Sequence, residues 1–167
     1  MIHLTLRHQI ACEVDEFWAL QLNDDFNRRY FLEGCKYQDY RLIEHLEMET
    51  TVRRRFYLSP KAAQLPAPIV KVLGVGDPSV VEDGTFDKTT RRYTARWTPA
   101  SLPERLTLAG RIYCEPAGAG RLERIAELDV EVRLFGIGWL IEREIVADFR
   151  RGFKTLVRFV EDEKRRA

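Results

Sequence analysis

The hydrophobic period of this chain changes once, near Gly136, from two to 3.6, and the change restricts the folds open to it. Beyond Gly136, Ile141, Ile145, Phe149, Gly152, Phe153, Leu156, Phe159 and Val160 recur on one stripe, which predicts a helix to about Lys164. Glu142, Arg143, Arg150, Arg151, Lys154 and Arg158 decorate the rest of that helix. Before Gly136 the apolar residues mostly alternate. The clearest case is the run near 121–135, with Leu122, Ala126, Leu128, Val130, Val132 and Leu134 on one side. Glu123, Glu127, Asp129, Glu131 and Arg133 fall on the other.

Alternation marks further strands near 3–12, 36–47, 50–58, 78–87, 90–98 and 105–116. Two short helices fit between the first and second strands. Asp15 is placed to cap one carrying Phe17 and Trp18, and Asn23 one carrying Phe26, Tyr30 and Phe31, with Gly34 as its stop. Seven antiparallel strands leave one apolar face uncovered, and the final helix is its cover. The expected class is α+β: a seven-stranded curved antiparallel sheet around a long C-terminal helix, with two short helices after the first strand. At 167 residues, with no composition break or repeat, 1–167 reads as a single domain. A curved sheet around one helix does not fill its interior as a flat sandwich does, so a residual cavity is expected.

Composition excludes several functions. A formal net charge of +1 lacks the bias of a nucleic-acid binder. Cys12, Cys35 and Cys114 are three, widely spaced and without a CxxC pair, which fits a reducing compartment. The N-terminus lacks a signal-peptide pattern and no run reaches the roughly 18 apolar residues of a bilayer span, so a cytoplasmic location is expected. His3, His8 and His45 form no HxH or HExxH, and no GxSxG occurs; no metal and no cofactor are expected. Phe135-Gly136-Ile137-Gly138 follows a strand and opens a helix, but residue 141 is Ile where a dinucleotide fingerprint needs Gly.

Several segments carry a family resemblance. They are Val14-Asp15-Glu16-Phe17-Trp18 with Asp24-Asp25-Phe26-Asn27, then Phe31-Leu32-Glu33-Gly34, Asp83-Gly84-Thr85-Phe86-Asp87-Lys88 and Phe135-Gly136-Ile137-Gly138. Together with the element order, they resemble the START-like (SRPBCC, helix-grip) superfamily over essentially the whole chain. That superfamily holds START lipid-transfer domains, birch-pollen-allergen relatives and aromatic polyketide cyclases. The chain is most similar to a largely uncharacterised START-like family of bacteria and plants, and more loosely to sterol-binding START-like domains of membrane-contact proteins. The resemblance implies a hydrophobic-ligand pocket between sheet and helix, often gated by loops at one end. It does not supply the ligand.

The candidate ligand-binding residues are Tyr93, Trp97, Leu108, Ile112, Leu128, Val130, Ile145, Phe149 and Phe153 on the inward faces. The alternative for each is plain core packing. Gly110 and Gly152 leave room inside or let backbones approach. Arg54, Arg124 and Asp148 fall in phase with apolar faces and need a partner, a water or a ligand group if buried. Arg53, Arg55, Arg92 and Arg96 make either a basic stripe or cross-strand pairs with Glu47, Glu49 or Glu82. Residues 65–76 offer a pocket gate or a transient membrane contact, against a buried connecting helix. Three functions follow. The first is non-catalytic binding or transfer of an apolar small molecule or lipid in an internal cavity. The others are a protein-interaction module and a cyclase/dehydratase-type enzyme using Tyr93, Arg54 or Asp148.

Overall fold

The computed structural model describes residues 1–61, 67, 70 and 77–167. The segment 65–76, apart from Ala67 and Val70, lies outside the described residues, and with it the gate or membrane contact placed there. In chain order the elements are β1 (Ile2–Ile10), α1 (Val14–Gln21), α2 (Asp24–Arg29) and a π-helical turn (Tyr30–Gly34). Six strands follow: β2 (Asp39–Glu47), β3 (Thr51–Ser59), β4 (Val80–Asp87), β5 (Arg92–Pro99), β6 (Leu106–Pro116) and β7 (Leu122–Val132). The long helix α3 (Gly138–Arg166) closes the chain. All seven strands pair antiparallel in the order β1-β7-β6-β5-β4-β3-β2, so the first strand pairs with the last. This is the α+β helix-grip architecture. Among the described residues, no helix is long and apolar enough to cross a membrane.

The alternation sorts the faces as the period requires. Tyr93, Ala95 and Trp97 are buried, and Arg92, Thr94 and Arg96 are exposed between them. At the helix starts the chemistry differs in one place from expectation. Glu13, not Asp15, caps α1, in a capping box with Glu16. Asn23 caps α2 as expected, its side chain accepting from the Phe26 N–H at 2.9 Å. Gly34 serves packing rather than a left-handed stop, because a Cβ there would stand 2.7 Å from Phe159 and 2.9 Å from Thr155 of α3. The positive φ near this stop belongs to Lys36 (60°), and Gly136 (81°) makes the turn into α3.

Helix α3 is not uniformly buried along its stripe. Ile141, Leu156 and Val160 are buried, whereas Ile145, Phe149, Gly152 and Phe153 between them are only half-buried. The helix rests on β1, β7 and the π-helical turn. Its middle therefore stands off from β3–β6, reaching β5 through the Phe149 ring edge-on to Trp97 at 5.2 Å between centroids, and a cavity occupies the rest. Glu142, which the sequence places on the polar side, is buried instead. Its Oε1 accepts from the Val132 N–H at 3.0 Å and pairs with the N-terminal ammonium at 3.2 Å.

Candidate functional site

The cavity measures about 270 Å³, near the lower edge of the roughly 300–1,000 Å³ usual for small-molecule pockets. Its walls are the inner faces of β3–β6, the middle of α3, and the α1–α2 region with the π-helical turn. The mouth lies where Pro60, Asp77, Pro78, Ser101, Asp148 and Arg151 meet solvent. Ten of the sequence-predicted residues line it together: Arg54, Tyr93, Trp97, Leu108, Ile112, Ile145, Asp148, Phe149, Gly152 and Phe153. Leu128 and Val130 do not. Both are almost fully buried on β7, under the part of the sheet that α3 covers, and they belong to the packed core. Gly110 serves the same packing, since a Cβ there would meet Leu128 Cδ2 and the Glu127 carbonyl.

The wall's polar groups form two sets. On β4 and β5, Glu82 pairs across the ladder with Trp97, which turns its carboxylate inward. Its Oε1 accepts from the Tyr93 hydroxyl at 2.7 Å and its Oε2 from the Trp97 indole N–H at 2.8 Å. Burial raises the pKa of Glu82, opposed by those two hydrogen bonds and by the charge of Arg54. Arg54 is 3% exposed, lies over the Phe56 ring and donates from Nη1 to the Gln21 carbonyl at 2.5 Å. Its Nε and Nη2 are buried without a partner among the described residues.

The second set is at the other end of the cavity. Arg124 is 2% exposed, with its guanidinium 4.0 Å from the Phe153 ring centroid. Its Nε and Nη1 are buried without a partner among the described residues. Burial pushes its pKa down to about 10, so it stays protonated at neutral pH. Tyr30 stands nearby and donates from its hydroxyl to the Gly152 carbonyl at 2.9 Å, which fixes the gap in α3. Burial raises the Tyr30 pKa well above the ordinary phenol value, keeping it a neutral donor.

Asp148 is different in kind. Its side chain is 57% exposed at the mouth, beside Arg151 at 3.3 Å and the Tyr37 hydroxyl at 3.4 Å. Glu82 was assigned by sequence to an outer-face pair, which the register overturns. The outer partner is its neighbour Asp83, bonded to Arg55 at 2.7 Å, while Glu47 pairs with Lys88. The signal was present: Glu82 shares parity with Gly84 and Phe86, opposite Trp97, Ala95 and Tyr93. Tyr30 was read only as a helix-face aromatic, and its place on the wall comes from the π-helical turn, which carries no sequence signature.

A curved antiparallel sheet, a gripped C-terminal helix and a cavity between them make a START-like, helix-grip fold. Solved structures agree in fold. An aromatase/cyclase from a Streptomyces species superposes with a TM-score of 0.67 at 14% identity, covering 99% of this chain and 94% of that one. A START superfamily protein from Mycobacterium smegmatis gives 0.64 at 11% identity, covering 96% and 97%. The structure of Ara h 8.0201 gives 0.61 at 10% identity, covering 95% and 97%. No curated protein matches the sequence. Residues 5–162 match the family described as "Protein of unknown function (DUF2505)", and the chain belongs to that family.

Proposed function

We propose that the protein binds or transfers an apolar small molecule held in the cavity, without transforming it. One observation carries this reading: four successive stripe residues of α3 that line the cavity, Ile145, Phe149, Gly152 and Phe153, are only half-buried, although Ile141 and Leu156 on either side are buried. A helix selected for packing alone would bury its middle at least as well as its ends. The volume suits one small molecule and is tight for a two-chain lipid. Native mass spectrometry of gently purified protein, followed by solvent extraction, is expected to show a discrete adduct of low mass. Protein that is ligand-free and gains no thermal stability from any apolar probe overturns the reading.

A cyclase/dehydratase-type activity is the second reading, favoured by the convergence of Arg54, Glu82 and Tyr93 on one wall. A buried carboxyl with a raised pKa beside a tyrosine is a reasonable proton donor. The aromatase/cyclase likeness is in fold alone. The extracted ligand decides between the two. Unchanged recovery after incubation with fresh protein supports the binder. Conversion by wild type but not by Glu82→Gln supports the enzyme.

A further inference from the structure

The cavity encloses more positive than negative charge. Of the described lining residues that are buried, three are ionisable as strong acids or bases: Arg54, Arg124 and Glu82. Two guanidiniums face one carboxylate, which leaves a surplus of one positive charge even with Glu82 ionised. The other groups near Arg124 do not cancel it. Cys114 and Tyr30 are held neutral by burial, and His8, opposite it on β1, is pushed towards its neutral form. The acids at the mouth, Asp77, Glu144 and Asp148, reach solvent and are screened.

The two arginines are not equivalent. Arg54 is tied to the Gln21 carbonyl, and the charge of Glu82 acts on both arginines. The Arg124 guanidinium has neither a hydrogen bond nor an ion pair among the described residues. It lies on β7 eight residues before Val132, against the Phe153 ring of α3, and is 2% exposed. An unpaired cation at that depth is costly, and an aromatic ring recovers only part of the cost. A ligand oxyanion recovers the rest.

We propose that the ligand is an amphipathic monocarboxylic acid whose carboxylate pairs with Arg124 at the inner end of the cavity, its apolar body extending past Phe153 and Phe149 towards the mouth. With Glu82 ionised the surplus is one charge, which matches a monoanion, and the unpaired Nε and Nη1 of the guanidinium match a planar carboxylate. The wall between Arg124 and the mouth (Ile112, Phe153, Phe149, Trp97) is apolar and suits a chain or fused rings. This inference rests on the cavity being a ligand site, and the test separates the two.

Isothermal titration of the full chain with decanoate, decan-1-ol and decan-1-amine compares heads on one tail. The pair 2-naphthoate and naphthalene-2-methanol does the same for a ring body. On at least one skeleton the acid is expected to bind at least about tenfold tighter than the alcohol, with the amine weakest. Arg124→Met is expected to abolish the acid preference while changing alcohol affinity by no more than about twofold, and Arg124→Lys to keep part of it. Equal binding of acid and alcohol in the wild type, or an acid preference that survives in Arg124→Met, overturns the proposal and leaves the cavity as an apolar site. Failure of every probe to bind overturns both. Should Arg124→Met not fold, as judged by circular dichroism, the head-group series on wild type decides alone.

Discussion

The inner face of the sheet has two halves that obey different rules. Under α3, on β7 and β1, Leu122, Ala126, Leu128, Val130 and Ile10 are at most 2% exposed, and neighbours are filled even at the expense of a side chain, as at Gly110. Opposite the middle of α3, on β3 to β5, the same alternation delivers Arg54, Glu82, Tyr93 and Trp97 to the cavity wall. Inward parity therefore does not by itself define a site. What separates the halves is how closely the helix seats on them: among the described residues β7 reaches the cavity through Arg124, whereas β3 to β5 present most of their inward residues to it.

The comparison breaks most sharply in stability. Leu128→Ala removes a side chain from close packing and is expected to cost about 3 kcal/mol. Ile145→Ala, in the half-buried middle of α3, is expected to cost about 1 kcal/mol, because less of that side chain leaves water on folding. Urea unfolding with unchanged m-values measures both. Equal losses would mean that the cavity wall is packed as tightly as the core.

Glycines sharpen it next. In Gly110→Ala the new methyl meets Leu128 Cδ2 at 2.5 Å and the Glu127 carbonyl at 2.8 Å, and backbone cannot easily give way. A loss of about 1–3 kcal/mol is expected. In Gly152→Ala the only near atom is the Tyr30 hydroxyl at 3.3 Å. The gain in helix propensity, about 1 kcal/mol, offsets that strain, so thermal stability should hardly move.

Much of this was legible beforehand, for a physical reason. Period-two and period-3.6 patterns report which face is apolar, and they placed the seven strands and α3 within a few residues. The inward residues of β5 and β6 and of α3 were found the same way. Three things escaped because pattern does not encode them. Leu128 and Val130 look identical to Leu108 in alternation, and only the seat of the helix tells them apart. Glu82 looks like a surface acid until the β4–β5 register fixes its parity. The need of Arg124 for a partner was legible from its phase, but that no hydrogen-bond partner for its Nε and Nη1 stands among the described residues is a property of assembled neighbours.

The polar wall provides a subtler contrast through pH. Glu82 has a pKa raised above its ordinary value of 4.5 by burial, so the folded state holds its proton more tightly than the unfolded chain does. Its contribution is fully present below the unfolded pKa and is lost as pH rises through the folded one. Glu82→Gln removes this dependence while keeping the size of the group. The variant should therefore gain stability relative to the wild type as pH rises from about 4 to about 7.5. Thermal unfolding at the two pH values reads the difference. A variant that instead loses ground with rising pH would mean that the Tyr93 and Trp97 bonds outweigh burial and lower the pKa.

The smallest effect lies one residue away, on the opposite face. Asp83 pairs with Arg55 at 2.7 Å and 3.2 Å, with side chains 46% and 50% exposed. Water and salt screen this pair, so Asp83→Asn should change thermal stability only slightly, and the loss should shrink further at high salt. Burial screens Glu82 far less, and the pH response of Glu82→Gln should persist at the same ionic strength. Adjacent carboxylates on one strand thus provide a direct control for the division of the sheet. If salt erases both effects equally, Glu82 is wetter than its burial implies, and the cavity wall is continuous with solvent rather than enclosed by α3.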